Sequence, residues 1–591
     1  MTRIGDVTGF DRIGIPVFQA VRPLSRSLSV SQGKGRRRPQ ARLSALMEAL
    51  ELHCGEHCRA ADRQGSLRTL GEAWTTTGAD LDRQRGWLVA SDLASGGTCL
   101  VPRERVCLDM TGPVPDLSVC SDGMGAGATV EEATLAGLCE VIEREAHARW
   151  QALPRRARAA TAIDPASIDD PEAAALIGLI GRAGCRAHVW EIGGGIGVAA
   201  FLCVIADGSP AEARAMAPAG GTGCHPDRGV AIGRAILEAA QTRVTARVGA
   251  REDFKPVHYD EARRLDRALL LELIAAGPPQ HRFAAVSHRR FGSAAAAIEG
   301  LLQAIAPLGG PVAKIDLTDP VIGIPVVRII TPWQQAPELM LHARHTPMPQ
   351  REAGRLAGKR LLFVGPSAPA LLASPPDGFV ARPPAHCGDI AAAIAARPAA
   401  IGLIDGVFGT GPSVWHKEIA FAIEAGVPVY GAASIGALRA AELGPCGMIG
   451  IGEVYAAYAS GRMARDDAVL VEHAPEALGC RPLTLALVDM LAKLATCPMP
   501  PTLRRRIAIA AAALPVGKRQ WADVLVAASI AEVQRAELLA MLTAPAPSVK
   551  ESDALALVAA MAGPLPDPRA NPHPPVPRTR FVAAVSPARP A

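Results

Sequence analysis

Apolar positions recur at helical spacing over residues 42–58, 130–150 and 230–248. Short apolar runs over 187–192, 197–205 and 322–330 predict strands, the last interrupted by Pro325. Strands and helices alternate in this half without a β-α-β rhythm, which predicts a mixed α+β domain over 23–344 behind an irregular segment at 1–22. A polar, basic stretch at 345–359 reads as a linker, and after it the pattern changes. Runs at 360–364, 400–404 and 427–430 are short strands, separated by helical segments such as 413–425. That rhythm predicts a small parallel α/β domain over 360–500. In such sheets the functional loops lie beyond the carboxyl ends of the strands, where Asp405 and the turn from Gly431 to Ser434 fall. A helical extension follows over 501–563. The tail at 564–591, with nine prolines in 28 residues, reads as disordered.

Composition narrows the class. Apolar residues make up 49% of 591, enough for several packed domains and too many for global disorder. Net charge is only +5, and one basic run, Lys34 to Arg38, is local, so no nucleic-acid partner is expected. The imbalance of 8 Lys against 54 Arg accompanies abundant Ala and reads as coding bias. No apolar run is long enough for a membrane span, and the first residues do not form a signal peptide. Thirteen cysteines, scattered and odd in number, suit reduced thiols in a cytoplasm.

Three helices carry acidic faces. Ser44, Glu48 and Glu51 align at i, i+4, i+7. Glu140, Glu143 and Arg144 share a second face, with His147 one turn on, and Arg234, Glu238 and Gln241 share a third. Each alone suits a solvated surface with ordinary i,i+4 pairs. Three such faces within 245 residues, each flanked by apolar positions, suggest convergence. Five converging carboxylates repel one another unless cations neutralise them, and Mg²⁺ is the natural hard cation. Mg²⁺ usually accompanies phosphate, which would recruit Arg144 and Arg234. Lys34, in the Gln32–Gly35 turn, and the glycines of the run 123–127 can let an anion approach.

The segments SQGKG–ARLSALMEALE, SDGMGAGATVEEATLAGLCEVIERE and AIGRAILEAAQTR resemble the YcaO family over roughly 20–340. The resemblance implies an ATP- and Mg²⁺-dependent enzyme that phosphorylates a peptide backbone amide oxygen, on the way to an azoline, amidine or thioamide. On matching positions it implies a nucleotide site of Ser44, Glu48, Glu51, Glu140, Glu143, Arg144, Arg234, Glu238 and Gln241, with Lys34 and Glu132 as further candidates. Glu48, Glu51, Glu140, Glu143 and Glu238 would be the Mg²⁺ ligands. Leu52 and Ala231 stand where the family pattern has Arg and Ser. Pro575-Val576-Pro577 lies past a second domain, which argues against a stand-alone azoline former.

The run from Gly402 to His473, within a match over about 360–473, is similar to the TfuA core. Its residues alone offer a polar set around strand ends: Asp405, His416, Lys417, Glu418, Ser434, Arg439 and Glu442, with Asp466 and Asp467 beyond. Such a set suits acid–base work or a structural salt-bridge cluster. A YcaO-like part joined to a TfuA-like part implies backbone thioamidation. The first seven residues would then be catalytic in delivering sulfide, from free sulfide or a sulfur-carrier protein, to a precursor peptide or protein, in a homodimeric chain. The rivals are an azoline-forming cyclodehydratase and a non-catalytic peptide- or carrier-binding scaffold. The run from His53 to Cys58 (HCGEHC) has metal-ligand residue types. It lacks a second pair at zinc-module spacing, so it reads as a structural helix end, with adventitious metal or persulfide chemistry as the alternative.

Overall fold

The computed structural model describes the chain except residues 76–78, 114, 118, 209–217, 255–267, 269, 271, 274–278, 280, 335–355, 410, 567–573 and 583–591. Most of the expected linker at 345–359 therefore lies outside the described residues.

The N-terminal segment is not irregular. Strands β1 (Arg3–Asp6), β2 (Val17–Val21) and β3 (Val30–Lys34) form an antiparallel sheet. The turn expected around Lys34 is therefore largely strand, because β3 pairs along its whole length with β2, a partner that local sequence does not reveal. Helix α1 (Arg38–Glu56) lies on this sheet. A second sheet takes β4 (Arg63–Gly65), β5 (Arg85–Asp92), β6 (Thr98–Pro102) and β7 (Met124–Ala126), with helix α2 (Val130–Ala152) packed against β7. Strands β8 (Cys185–Glu191), β9 (Ala200–Asp207) and β10 (Ala219–Cys224) form a third sheet, covered by α3 (Arg228–Val248). Strands β11 (Ala313–Asp316) and β12 (Val326–Ile330) complete the second sheet in the order β4-β5-β11-β12-β7, with β6 on β5. Pro325 ends up outside β12, as its missing N–H requires.

One device recurs in the docking of α1, α2 and α3. A Cβ on Gly33 of β3 would meet the Ala45 nitrogen at 1.9 Å; on Gly125 of β7, the Ala133 carbonyl at 2.1 Å; on Gly221 of β10, the Ala239 nitrogen at 2.1 Å. Glycine thus lets each helix backbone touch its strand. Acidic residues of two of these helices reach backbone N–H groups at the strands, Glu140 that of Gly123 and Glu238 that of Thr222.

The C-terminal half contains a parallel five-stranded sheet, in the order β14-β13-β15-β16-β17. Its strands are β13 (Arg360–Phe363), β14 (Phe379–Arg382), β15 (Ala400–Leu403), β16 (Val429–Gly431) and β17 (Ile449–Gly450). Helix α4 (His416–Glu424) precedes β16, and α5 (Ile435–Leu443) follows it. Helices at 501–513, 521–527, 532–543 and 549–562 follow.

The two halves are tied directly. Asp6 N–H donates to the Ala464 carbonyl (2.8 Å), Ser413 N–H to the Gly249 carbonyl (3.0 Å), and Phe10 meets Phe408 edge-on. Part of the expected disordered tail is packed as well: Val576, Phe581 and Val582 are buried, and Arg580 N–H donates to the Met110 carbonyl. The apolar residues among those prolines find a ready-made surface, which composition alone does not show. Among the described residues no helix is long and apolar enough to cross a membrane.

Candidate active site

Helices α1, α2 and α3 bring their acidic faces together. Thr222 of β10 joins two of them: its hydroxyl donates to Glu143 Oε1 at 2.6 Å and its N–H to Glu238 Oε1 at 3.3 Å. Lys34 Nζ reaches Glu238 Oε2 at 2.6 Å. Arg144 sits among Asp122 (3.2 Å), Glu140 (3.6 Å) and Glu143 (3.8 Å), and Gly123 N–H donates to Glu140. Arg251 approaches Glu48 at 3.9 Å.

Burial and mutual repulsion move these acids away from their ordinary range. Burial first, then the Glu48 charge, pushes Glu51 up to about 7. Burial pushes Glu140 up to about 8, with Asp122, Glu143 and Glu51 adding to it against the pull of Arg144. Burial also raises Glu48, and it raises Glu143 together with the neighbouring Glu238 charge. Glu238 goes the other way. Burial pushes it up, but Lys34 and Arg144 outweigh that and hold it at about 2. Burial, reinforced by Arg144, lowers His147 to about 4, so it is neutral beside the site.

The cluster has more acids than bases, and two of its acids, Glu51 and Glu140, are poised to lose protons near neutrality. Glu48, Glu140 and Glu238 keep about a quarter to a third of their side-chain surface exposed (33%, 24% and 26%). A cavity of about 770 Å³, lined in part by Asp122, Arg144, Arg251, Leu52 and Phe581, opens beside them. Such a half-open set of oxygen donors fits Mg²⁺. Arg234 lies in the field of Glu143 and Glu238 and makes no hydrogen bond among the described residues, which leaves its guanidinium available to phosphate.

Other expected members lie elsewhere or act differently. Ser44 Oγ accepts the Lys34 N–H at 3.4 Å, bracing β3. Gln241 is buried and donates to the Gln32 carbonyl, tying α3 to β3. Glu132 is exposed and accepts the Ala128 N–H, so it closes the start of α2 and is not part of the cluster. Thr222, Asp122 and Arg251 were not identified from sequence; none stands on an acidic helix face, and only the packing of β10 and of the loops places them here.

The structure does not gather the seven residues expected to be catalytic in the second half into one centre. His416, Lys417, Glu418 and Glu442 are fully buried, and Asp405, Arg439 and Ser434 nearly so. Glu442 accepts from Arg439 (2.8 Å) and Arg3 (2.9 Å) and pairs with His416 Nε2 (2.8 Å). Asp405 accepts from Gly365 N–H, Ser367 N–H and the Ser367 hydroxyl, and so ties two strand-end loops together. Glu418 accepts from Gly388 and Trp415 N–H, and burial pushes it up to about 8. Lys417 points the other way, donating to the Ser27 carbonyl (2.7 Å) and pairing with Glu252 of the first half (3.5 Å). Ser434 opens α5 after Ala433, whose φ is +64°. Asp466 pairs with Arg3, and Asp467 with Arg465 and Arg519. All seven are sealed from solvent; His416, Arg439 and Glu442 pair with one another, Asp405 and Glu418 hold loops through N–H donors, and Lys417 ties the second half to the first.

The family described as "YcaO cyclodehydratase, ATP-ad Mg2+-binding" matches residues 32–333, and that described as "TfuA-like protein" matches 405–513. The chain is 35% identical over 352 residues to an "Uncharacterized protein in tfuA 3'region" of Rhizobium leguminosarum bv. trifolii, covering 56% of this chain and 83% of that protein. It is 31% identical over 362 residues to an uncharacterized protein of Methanothermobacter thermautotrophicus, covering 56% of this chain and 89% of that protein. Among solved structures, "The structure of YcaO from Methanopyrus kandleri bound with AMPPCP and Mg2+" is similar at 24% identity and a TM-score of 0.44, covering 57% of this chain and 89% of that one. The chain belongs to the YcaO family, whose ligands are ATP and Mg²⁺, and it carries a TfuA-like domain in the same polypeptide.

Proposed function

We propose that this chain replaces a peptide backbone amide oxygen with sulfur, at the expense of ATP. The convergence of Glu48, Glu51, Glu140, Glu143 and Glu238 from three helices beside Arg144 and Arg234 is the observation that carries the amide-activating part. Bound Mg²⁺–ATP supplies the phosphoryl group that turns the amide oxygen into a leaving group, and hydrosulfide supplies the sulfur that replaces it. The five carboxylates hold the cation. Arg144, Arg234 and Lys34 balance phosphate charge, and the glycine-tight docking of the helices fixes their positions. The Leu52 and Phe581 side of the adjoining cavity receives apolar parts of a peptide.

The TfuA-like half supports thioamidation over other outcomes because it is joined covalently and packed tightly to the activating half. Sulfide released there reaches the amide at high effective concentration. In this reading the sealed residues around Glu442 and Lys417 keep the two halves in register. A sulfur-carrier protein or free sulfide is the donor, and a precursor peptide or a protein is the acceptor.

The family description favours one rival, azoline formation by cyclodehydration. Mass spectrometry of a candidate peptide incubated with the full chain, Mg²⁺–ATP and sulfide separates the two. Exchange of oxygen for sulfur raises the mass, whereas cyclodehydration removes one water. Water loss alone would sink thioamidation.

A further inference from the structure

We infer that His53, Glu56 and His57 form a binding site for a zinc-class divalent ion at the junction of the two halves, with one coordination position open to the cavity there. The site is separate from the carboxylate cleft and does not depend on what that cleft does.

In the order H-x-x-E-H, His53 and Glu56 lie in the last turn of α1 and His57 caps it, which brings both imidazoles together with a carboxylate between them. Their ligand atoms lie within 4.8 Å of one another, and the imidazole rings are 4.4 Å apart. Modest side-chain rotation brings them to zinc-ligand distances of about 2.0–2.2 Å.

The surroundings orient two of the three donors, and His53 Nε2 lies 3.8 Å from Asp319. His57 Nδ1 is 2.8 Å from the His53 carbonyl, so that nitrogen carries the proton and Nε2 keeps its lone pair. Glu56 Oε1 is saturated by Arg22 (2.8 Å), by Ser27 N–H (3.1 Å) and by the Ser27 hydroxyl. Its Oε2 accepts from Arg22 at 3.0 Å and keeps a second lone pair for a metal. Hydrogen bonds that clamp a ligand carboxylate in this way are typical of metal sites.

Charge selects the ion. Arg22 offsets the Glu56 charge, so the donor set is two imidazoles and a carboxylate whose charge is already paired. Mg²⁺ prefers charged oxygens and its own waters, whereas imidazole nitrogens suit zinc-class ions.

Three protein ligands leave a fourth position free, the arrangement of sites that bind an exchangeable ligand. Here that position faces a cavity of about 930 Å³, lined by all three residues and, from the C-terminal side, by Cys446 and Glu424. A small soft anion fits such a position. Resting on the thioamidation reading, that anion is hydrosulfide, held between the half that supplies it and the half that uses it. From sequence, HCGEHC lacked a distant second ligand pair. The geometry needs none, because the carboxylate lies within the same run.

The test uses the full chain, stripped with chelator and titrated with Co²⁺ in excess Mg²⁺ so that the carboxylate cleft is already filled. The expected result is one equivalent of Co²⁺ with the visible absorption of a tetrahedral nitrogen-ligated ion. His57→Gln should weaken it at least about tenfold, and Glu143→Gln should leave it in place. His57 is exposed, so its variant keeps the fold; the melting temperature checks this. No visible band, or a band that survives His53→Gln and His57→Gln together, overturns the site. One equivalent of hydrosulfide should then shift the band; an unchanged band overturns the open position. A chain with the cobalt band but no thioamide product would contradict the thioamidation reading and leave the metal site standing.

Discussion

Two clusters of charged side chains, built from the same residue types, behave in opposite ways. In the cleft between α1, α2 and α3 the acids outnumber the bases, and four of the five glutamates are pushed towards the neutral form. Around Glu442 the charges balance. Burial alone would raise that carboxylate, but Arg439, His416 and Arg3 together hold it well below its usual range. The first cluster is half open and has an excess of acids, while the second is sealed and charge-balanced. A set of polar residues at the strand ends of an α/β domain therefore does not by itself identify a reaction centre. Net charge and access distinguish a site from a joint.

Glu442→Gln should cause the largest change. It replaces the carboxylate shared by two arginines and a histidine with a neutral amide that has one acceptor oxygen, in a site sealed from water, costing about 3–5 kcal/mol of stability. Denaturant unfolding would show a lower midpoint together with loosening of Arg3 and the N-terminal sheet. A loss below about 1 kcal/mol would mean that this network is not the joint described here.

Glu143→Gln reverses the contrast. It should lower ATP turnover on the order of 10²–10³-fold or more with little change in thermal midpoint, because it relieves repulsion in an overcharged cleft. Unchanged turnover, measured as phosphate release, would remove the nucleotide site from this cleft.

The smallest effect is a pH dependence. Glu51 and Glu140 titrate near 7 and 8 in the folded chain, above their ordinary value of 4.5. Between those limits the folded state holds more protons than the unfolded one. The metal-free chain therefore loses stability as pH rises through that window. Mg²⁺ displaces these protons and binds more tightly as they leave. The rise in melting temperature on adding Mg²⁺ should be larger at about pH 8.5 than at about pH 6. An equal rise at both would show that these carboxylates are not ligands.

The sequence by itself determined the three acidic helix faces, the glycines before them and the short parallel strands of the second half. These are local features, set by 3.6-residue periodicity, turn chemistry and runs of apolar residues within a few turns of chain. Tertiary structure alone decided the rest. Residues 30–34 become a strand because β2 lies beside them. Thr222 and Arg251 join the glutamates because β10 and the end of α3 pack there. Glu132, by contrast, stays at a helix start, in the open. The same contacts sealed His416 and Lys417 and placed Phe581 from the Pro-rich tail beside the cleft. Whether a charge is open, neutralised or buried depends on neighbours hundreds of residues away, and no window along the chain contains them.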